Sequence, residues 1–171
     1  MIINYRVKHK TFISFYHHDD QGYKEYIDKH LSTNIINKSV DDGEYDPDDS
    51  DEYVKRLIRE EKVSDSSVVV VLVGPNTYKR KHVDWEIYAG LRESVNGRSG
   101  LVGIILPKFD GKYGTLPARL EDNVESGYAK LYSWEYAISH FDDIVKEAFD
   151  NRIRLADKAD NTRLQMRRNK S

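Results

Sequence analysis

The run "VVVVLV" at residues 68–73 constrains the fold more than any other feature of this chain. Its six apolar residues do not alternate with polar ones, and Gly74 and Pro75 follow directly. A strand with one face in water alternates, whereas an unbroken apolar strand is typical of a parallel sheet covered by helices on both faces. The run is also far too short to span a membrane. A second apolar strand, "LVGIILP", is stopped by Pro107, so we predict a covered parallel sheet.

Strand patterns and helix patterns alternate about five times along the chain, which indicates an α/β domain. Beyond the two apolar runs, strands are predicted in "TFISFY", more weakly in "NIINKSV", and last in "YAKLYSWE". Helices are predicted over 17–31, from 49 onward, over 77–95 and over 139–157, and a loop is predicted over 108–127. In such a sheet, ligands bind beside the carboxyl ends of the strands, so the loops there are the first place to look for a site.

Acidic residues are the predicted starts of two helices. Asp19 or Asp20 could cap the helix that follows the first strand. Asp49 and Glu52 have the spacing of a capping box, and carboxylates in a first turn suit the positive end of the helix dipole.

Length and composition favour one soluble domain with a tail. The 171 residues suggest a domain over 1–157, followed by a basic, polar tail over 158–171 that we expect to fray. No cysteine is present, which excludes disulfides and thiolate chemistry. A net charge of −2 without a basic stripe gives no reason to expect a nucleic-acid partner. The amino-terminal stretch lacks the apolar core of a signal peptide, so a cytoplasmic protein without a membrane partner is expected.

The usual motifs for cofactors and metals are missing from the sequence. There is no GxGxxG and no phosphate-binding loop, and the six histidines have no spacing diagnostic of a metal. The acidic stretch "DDGEYDPDDSDE" lacks the ligand pattern of an EF-hand and is more simply a solvated loop feeding a helix cap. No GxSxG elbow is present either. We therefore expect no metal and no cofactor held by one of these motifs, while a nucleotide bound in another way stays open.

One carboxylate, Glu86 in "HVDWEIYAG", stands out because it follows a tryptophan inside an otherwise apolar helix pattern. On a helix it borders the apolar stripe and lies near Ala89 and Gly90. Small neighbours leave room for a ligand, or for close approach of another element. Periodicity alone allows both an ordinary border glutamate and a functional one.

Four stretches together resemble a known family. They are "TFISFYHHDD", the block from "DSDEYVKRLI" through "SSVVVVLVGPNTYKRKHVDWEI", then "GIILPKFDGKYGTLP", and finally "LYSW". In order and spacing they resemble Toll/interleukin-1 receptor (TIR) domains, specifically the bacterial TIR-like family of the Thoeris anti-phage defence system. The resemblance runs from about Lys10 to Phe149, and the middle block is its most specific part.

The resemblance implies a flavodoxin-like three-layer sandwich around a five-stranded parallel sheet. It also implies an enzyme of the NAD glycohydrolase or ADP-ribosyl cyclase type, which cleaves the nicotinamide–ribose bond of NAD to make an ADP-ribose-derived signalling nucleotide. NAD is then a substrate and not a cofactor. Self-association or a trigger would activate the enzyme, and a downstream effector would recognise the product. The alternative is a non-catalytic TIR-like module that signals by contact.

The resemblance also assigns roles to individual residues. The catalytic glutamate falls on Glu86. The substrate-binding positions fall on Ser14, Phe15, Tyr16, His17, Ser50 and Trp85.

Overall fold

Five parallel strands form the central sheet in the order β2-β1-β3-β4-β5. The computed structural model describes residues 7–37, 45–111 and 115–171. The strands are β1 (His9–Ser14), β2 (Ile35–Asn37), β3 (Val68–Val73), β4 (Gly100–Ile105) and β5 (Lys130–Ser133). Every strand pair is parallel. The predicted α/β fold with a five-stranded parallel sheet is confirmed.

The connections between the strands are helical. The helices are α1 (His17–Tyr26), α2 (Asp51–Leu57), α3 (Lys81–Leu91), α4 (Ala118–Glu125) and α5 (Trp134–Arg154). Helices α1 and α2 continue directly into π-helical turns, Ile27–Leu31 and Ile58–Lys62, and a 3₁₀ turn at Thr77–Lys79 precedes α3. Among the described residues, no helix has the length and apolar character needed to cross a membrane.

The central strand β3 supplies apolar side chains to both faces of the sheet. Val69, Val71 and Val73 belong to the core cluster that includes residues of α2, α3 and α4. Val68, Val70 and Leu72 belong to the opposite cluster, which includes residues of α5. Since side chains alternate across a strand, an unbroken apolar run is required where both faces are covered. The three layers follow from this burial.

The predicted caps of two helices and the predicted ranges of two others were wrong; the helix predicted over 77–95 is α3, which runs over Lys81–Leu91 after the 3₁₀ turn. Helix α1 begins at His17, so Asp19 and Asp20 lie in its first turn and do not cap it. The cap of α2 is Ser50, whose hydroxyl accepts a hydrogen bond of 3.2 Å from the backbone N–H of Tyr53. Helix α5 begins five residues early, at Trp134, because Ser133 caps it there. More than one residue near each helix start has a side chain that can act as a cap, and the path of the preceding chain decides which of them does so.

Helix α4 lies inside the segment predicted as a loop. Its buried residues are Arg119, Leu120 and Asn123, so two of the three are polar. An apolar periodicity cannot reveal such a helix, because it packs through hydrogen bonds as well as through apolar contact.

The expectation that the tail frays was also wrong. Residues beyond α5 lie across α3 and α4 and form hydrogen bonds with them, among them a bond from the indole N–H of Trp85 to the carbonyl oxygen of Met166. The tail has few large apolar residues, and its attachment depends on backbone and polar side-chain groups that composition does not reveal.

Candidate functional site

A buried carboxylate lies where β1 ends beside α3. The side chain of Glu86 is only 5% exposed. Its Oε1 accepts a hydrogen bond of 3.0 Å from the hydroxyl of Ser14, the last residue of β1. Its Oε2 accepts one of 3.1 Å from the hydroxyl of Tyr45. The fold thus brings together a strand end, a loop residue and a helix residue at the carboxyl edge of the sheet, where α/β proteins bind ligands.

The carboxylate faces a narrow cleft. The residues that line it come from the segment between β1 and the first residue of α1, from the loop before α2, and from the first half of α3 with the residue before it; they are Phe15, Tyr16, His17, Tyr45, Arg80, His82, Val83 and Glu86. The cavity volume is about 10 Å³, which is room for about one water molecule. A ligand larger than one water molecule can therefore reach Glu86 only if a side chain that lines the cleft, such as that of Tyr45, moves.

Tyr45 acts as a hydrogen-bond donor toward Glu86. Burial, and then the charge of the Glu86 carboxylate and its hydrogen bond, raise the pKa of the Tyr45 hydroxyl well above the usual range for tyrosine. The phenol therefore keeps its proton at every physiological pH. Both oxygens of Glu86 thus accept a hydrogen bond, one from Ser14 and one from Tyr45.

Aromatic rings and a cation surround the rim of the cleft. The rings of Phe15 and His17 stack with centroids 4.1 Å apart. The guanidinium carbon of Arg80 lies 4.4 Å from the centroid of the Tyr16 ring. The His82 ring meets Tyr45 edge-on at 4.8 Å. Planar groups can stack on such rings, and a guanidinium suits a phosphate.

The structure separates the predicted site residues into two sets. It brings Ser14, Glu86 and the run 15–17 together at the cleft. Ser50 instead caps α2. Trp85 is 1% exposed and lies between Lys55 and Lys81, whose ammonium groups are each 5.0 Å from the ring centroid. Neither Ser50 nor Trp85 lines the cleft, and their substrate contacts stay predictions.

Four residues that line the cleft were not predicted as site residues; they are Tyr45, Arg80, His82 and Val83. Tyr45 lies in the acidic loop that follows β2, and Arg80 and His82 belong to the basic run "TYKRKH" between β3 and α3. Both loops follow strands and so lie where a ligand was expected, but no pattern singled out these residues within them.

The small residue Gly90 has a packing role. A Cβ added to it would lie 2.7 Å from Cγ2 of Val69 on β3, nearer than side-chain carbons approach. Because Gly90 has no side chain, α3 can lie close to the sheet, and Glu86 on the same helix is buried. Of the two explanations left open by the sequence, close approach holds for Gly90.

A second buried carboxylate, Asp20, lies at the same edge of the sheet but does not line the cleft. It is 1% exposed, and neither oxygen has a hydrogen-bond partner in the part of the chain that the structure describes. Burial and then the charge of Asp19 raise its pKa to about 6, against an opposing effect of Lys108. Within residues 7–37, 45–111 and 115–171, no group of three histidine or acidic side chains could hold a metal.

We expect Asp20→Asn to stabilise the protein at alkaline pH. Because the folded-state pKa of about 6 exceeds the ordinary value of 3.8, the folded protein binds this proton more tightly than the unfolded chain does. Below about pH 4 both states are protonated and the carboxyl costs nothing. As the pH rises through 6, the folded state must hold a buried charge, and stability is lost. The variant should gain about 1 to 3 kcal/mol at pH 8.

Urea unfolding of both proteins at pH 4, 6 and 8 measures this difference. Asp157→Asn, on an exposed residue, is the control and should change stability by no more than about 0.5 kcal/mol. If the difference in unfolding free energy between Asp20→Asn and the unsubstituted protein is the same at all three pH values, the Asp20 proton has no such role.

Comparison with known proteins places the chain among TIR-like sequences. The family model described as "Thoeris protein ThsB, TIR-like domain" matches residues 12–110, which is more than half of the chain. Among solved structures, the chain is similar to the TIR domains in the activated Roq1 resistosome directly recognizing the pathogen effector XopQ. The TM-score is 0.41, the sequence identity is 13%, and 84% of each chain is covered. No curated protein matches.

Proposed function

The chain belongs to the Thoeris ThsB TIR-like domain family, and we propose that it cleaves the nicotinamide–ribose bond of NAD. The product is an ADP-ribose-derived nucleotide that signals in anti-phage defence. The observation that carries the proposal is the buried carboxylate of Glu86 at the carboxyl edge of the sheet, opening on a cleft with aromatic and cationic walls.

The chemistry requires one carboxylate and no general acid. When the bond between the ribose anomeric carbon and the pyridinium nitrogen breaks, the electron pair stays on that nitrogen and nicotinamide leaves as a neutral molecule. Positive charge develops on the ribose, as in the oxocarbenium-like transition states of glycoside hydrolysis. A carboxylate held away from bulk water stabilises that charge more strongly than it would in water. Glu86, with its two donors in place, is suited to this role.

Substrate binding would rearrange one of those donors. In the proposal, a ribose hydroxyl takes the position of the Tyr45 hydroxyl on Oε2 of Glu86, since the cleft otherwise holds about one water. Ser14 keeps Oε1 in place from the fully buried end of β1. Tyr16 offers a ring for stacking, and Arg80 beside it offers a positive charge to the diphosphate.

The group that attacks the anomeric carbon decides the product. Water gives ADP-ribose, with its proton passing to solvent. A ribose oxygen or an adenine nitrogen of the same molecule gives a cyclic form of ADP-ribose instead, again with one proton passing to solvent, and a closed cleft that excludes water favours this outcome. An effector that binds the product would complete the signal. Self-association or a trigger that moves Tyr45 would activate the enzyme.

Incubation of the purified protein with NAD tests the proposal directly. We expect nicotinamide release, followed by chromatography, and a second product identified by mass spectrometry. A cyclic product and ADP-ribose differ by one water. The reaction is run alone and with lysate of phage-infected cells, since a trigger would come from infection. Absence of release under both conditions would overturn the proposal and favour a TIR-like scaffold that acts by contact.

A further inference from the structure

The tail segment at residues 160–170, hereafter the strap, lies across the outer side of α3 and α4. Its first part binds α4. Asp160 and Asn123 exchange two hydrogen bonds, of 2.9 Å and 2.7 Å, between the amide side chain and the strap backbone. Arg163 forms two hydrogen bonds with Asp122, of 2.7 Å and 2.8 Å. These contacts fix where the strap begins.

The second part of the strap binds the two residues that precede Glu86. The backbone N–H of Met166 donates to Oδ2 of Asp84 at 2.8 Å, and its carbonyl oxygen accepts from the indole N–H of Trp85 at 2.8 Å. Both side chains are buried, at 5% and 1% exposure. One strap residue therefore holds two consecutive residues of the helix.

The end of the strap binds the start of α3. Arg80, the residue before the helix, provides no side-chain cap. The side-chain oxygen of Asn169 instead accepts a hydrogen bond of 2.9 Å from the backbone N–H of Lys81, and the N–H of Lys170 donates to the carbonyl oxygen of Lys79 at 2.9 Å. The first N–H groups of a helix have no partner within it, so Asn169 acts as a cap from a distant part of the chain.

Glu86 lies on the opposite side of the same helix from the strap. Successive helix residues are about 100° apart, so the side chain of Asp84 projects about 200° away from that of Glu86. On the inner side, Gly90 sets the distance to β3. On the outer side, the strap adds polar, directional contacts to the buried ion pair between Asp84 and Arg119, and together these contacts restrain sliding and rotation of the helix.

We propose that the strap positions Glu86 for catalysis. Through Asp84, Trp85 and the N–H of Lys81, it sets the rotation and axial position of α3 at which Glu86 meets Ser14. This inference rests on the proposed cleavage of NAD. A displacement of about 1 Å in a reacting group costs about 100-fold in rate, so loss of the strap affects turnover more than affinity.

The decisive variant lacks residues 165–171, which removes the contacts to α3 and keeps those of Asp160 and Arg163 to α4. We expect kcat for nicotinamide release to fall about tenfold or more while KM for NAD stays within about twofold, because the strap does not line the cleft. A peptide of residues 160–171 added in trans should restore part of kcat. Asn169→Asp, which keeps the acceptor, should be nearly normal where Asn169→Ala is impaired. Arg168→Ala, on an exposed residue of the same segment, is the matched control and should leave kcat unchanged.

Amide hydrogen exchange keeps the two proposals separate. In the truncated protein, exchange should rise in the first turn of α3 and stay unchanged in β3. If the intact protein never cleaves NAD, the proposed function fails. Hydrogen exchange in α3 then tests by itself whether the strap holds the position of this helix. Unchanged kcat or unchanged exchange in α3 would overturn the positioning role. A general rise in exchange, with no rescue by the peptide, would also overturn it, since the strap would then only stabilise the fold.

Discussion

Glu86→Gln should abolish nicotinamide release, lowering kcat/KM for NAD by at least about 100-fold. The substitution keeps the size of the side chain and leaves one oxygen that can accept from Ser14 or Tyr45. What it removes is the negative charge, and the proposed reaction needs that charge as the ribose becomes positive. A neutral amide cannot supply it.

Folding is the first control for this variant. One of two hydrogen-bond acceptors is altered, so the melting temperature should fall by only a few degrees, as expected for about 1 kcal/mol in a domain of this size. Glu121→Gln, on an exposed glutamate of α4, is the matched control and should keep full activity. Release that persists in Glu86→Gln at the wild-type rate would show that another group carries the reaction, even if the protein cleaves NAD.

Arg119→Met should destabilise the fold severely, costing about 3 to 5 kcal/mol of unfolding free energy. Arg119 on α4 is fully buried, and its guanidinium donates to both oxygens of Asp84 at 2.8 Å and 3.4 Å. Methionine replaces the packing of the side chain but leaves Asp84 as a buried charge, with the Met166 N–H as its one remaining donor among the described residues. An uncompensated charge in a protein interior is strongly unfavourable.

Comparison with a second ion pair of α4 tests whether burial is the cause of this destabilisation. The pair between Arg163 and Asp122 has similar geometry, but its side chains are 48% and 20% exposed. Arg163→Met should therefore cost no more than about 1 kcal/mol. Adding Asp84→Asn to Arg119→Met should restore part of the lost unfolding free energy, because the buried carboxylate without its ion-pair partner is no longer present. Urea unfolding measures the stability of the three variants against that of the unsubstituted protein. Equal losses of unfolding free energy in Arg119→Met and Arg163→Met would contradict this account.

Two kinds of pattern made the fold predictable from the sequence. The apolar runs that became β3 and β4 predicted a covered parallel sheet, and the sheet is present with five strands. The TIR-like block around α3 predicted the family, and the family model matches it. Helix α4 was missed because Arg119 and Asn123, two of its buried residues, bind polar partners that give no apolar period.

The candidate site was also partly predictable from the sequence. Ser14 and the run 15–17 follow a strand, and positions after parallel strands converge at one edge. Glu86 was singled out by its neighbours, and its catalytic role stays a prediction. The loop that contains Tyr45 was expected at this edge, but the residue itself was not singled out, because its contact with Glu86 joins residues 41 positions apart.

The sequence by itself determined the layers, because burial on both faces of a strand requires an unbroken apolar run, and that requirement is local. Only the tertiary structure decided what holds Glu86. The donors Ser14 and Tyr45 on one side of α3, and the strap contacts at Met166 and Asn169 on the other, come from segments far apart in the chain. Hydrogen bonds are directional and short, so they depend on where the whole fold places each atom, and no periodicity in the sequence records them.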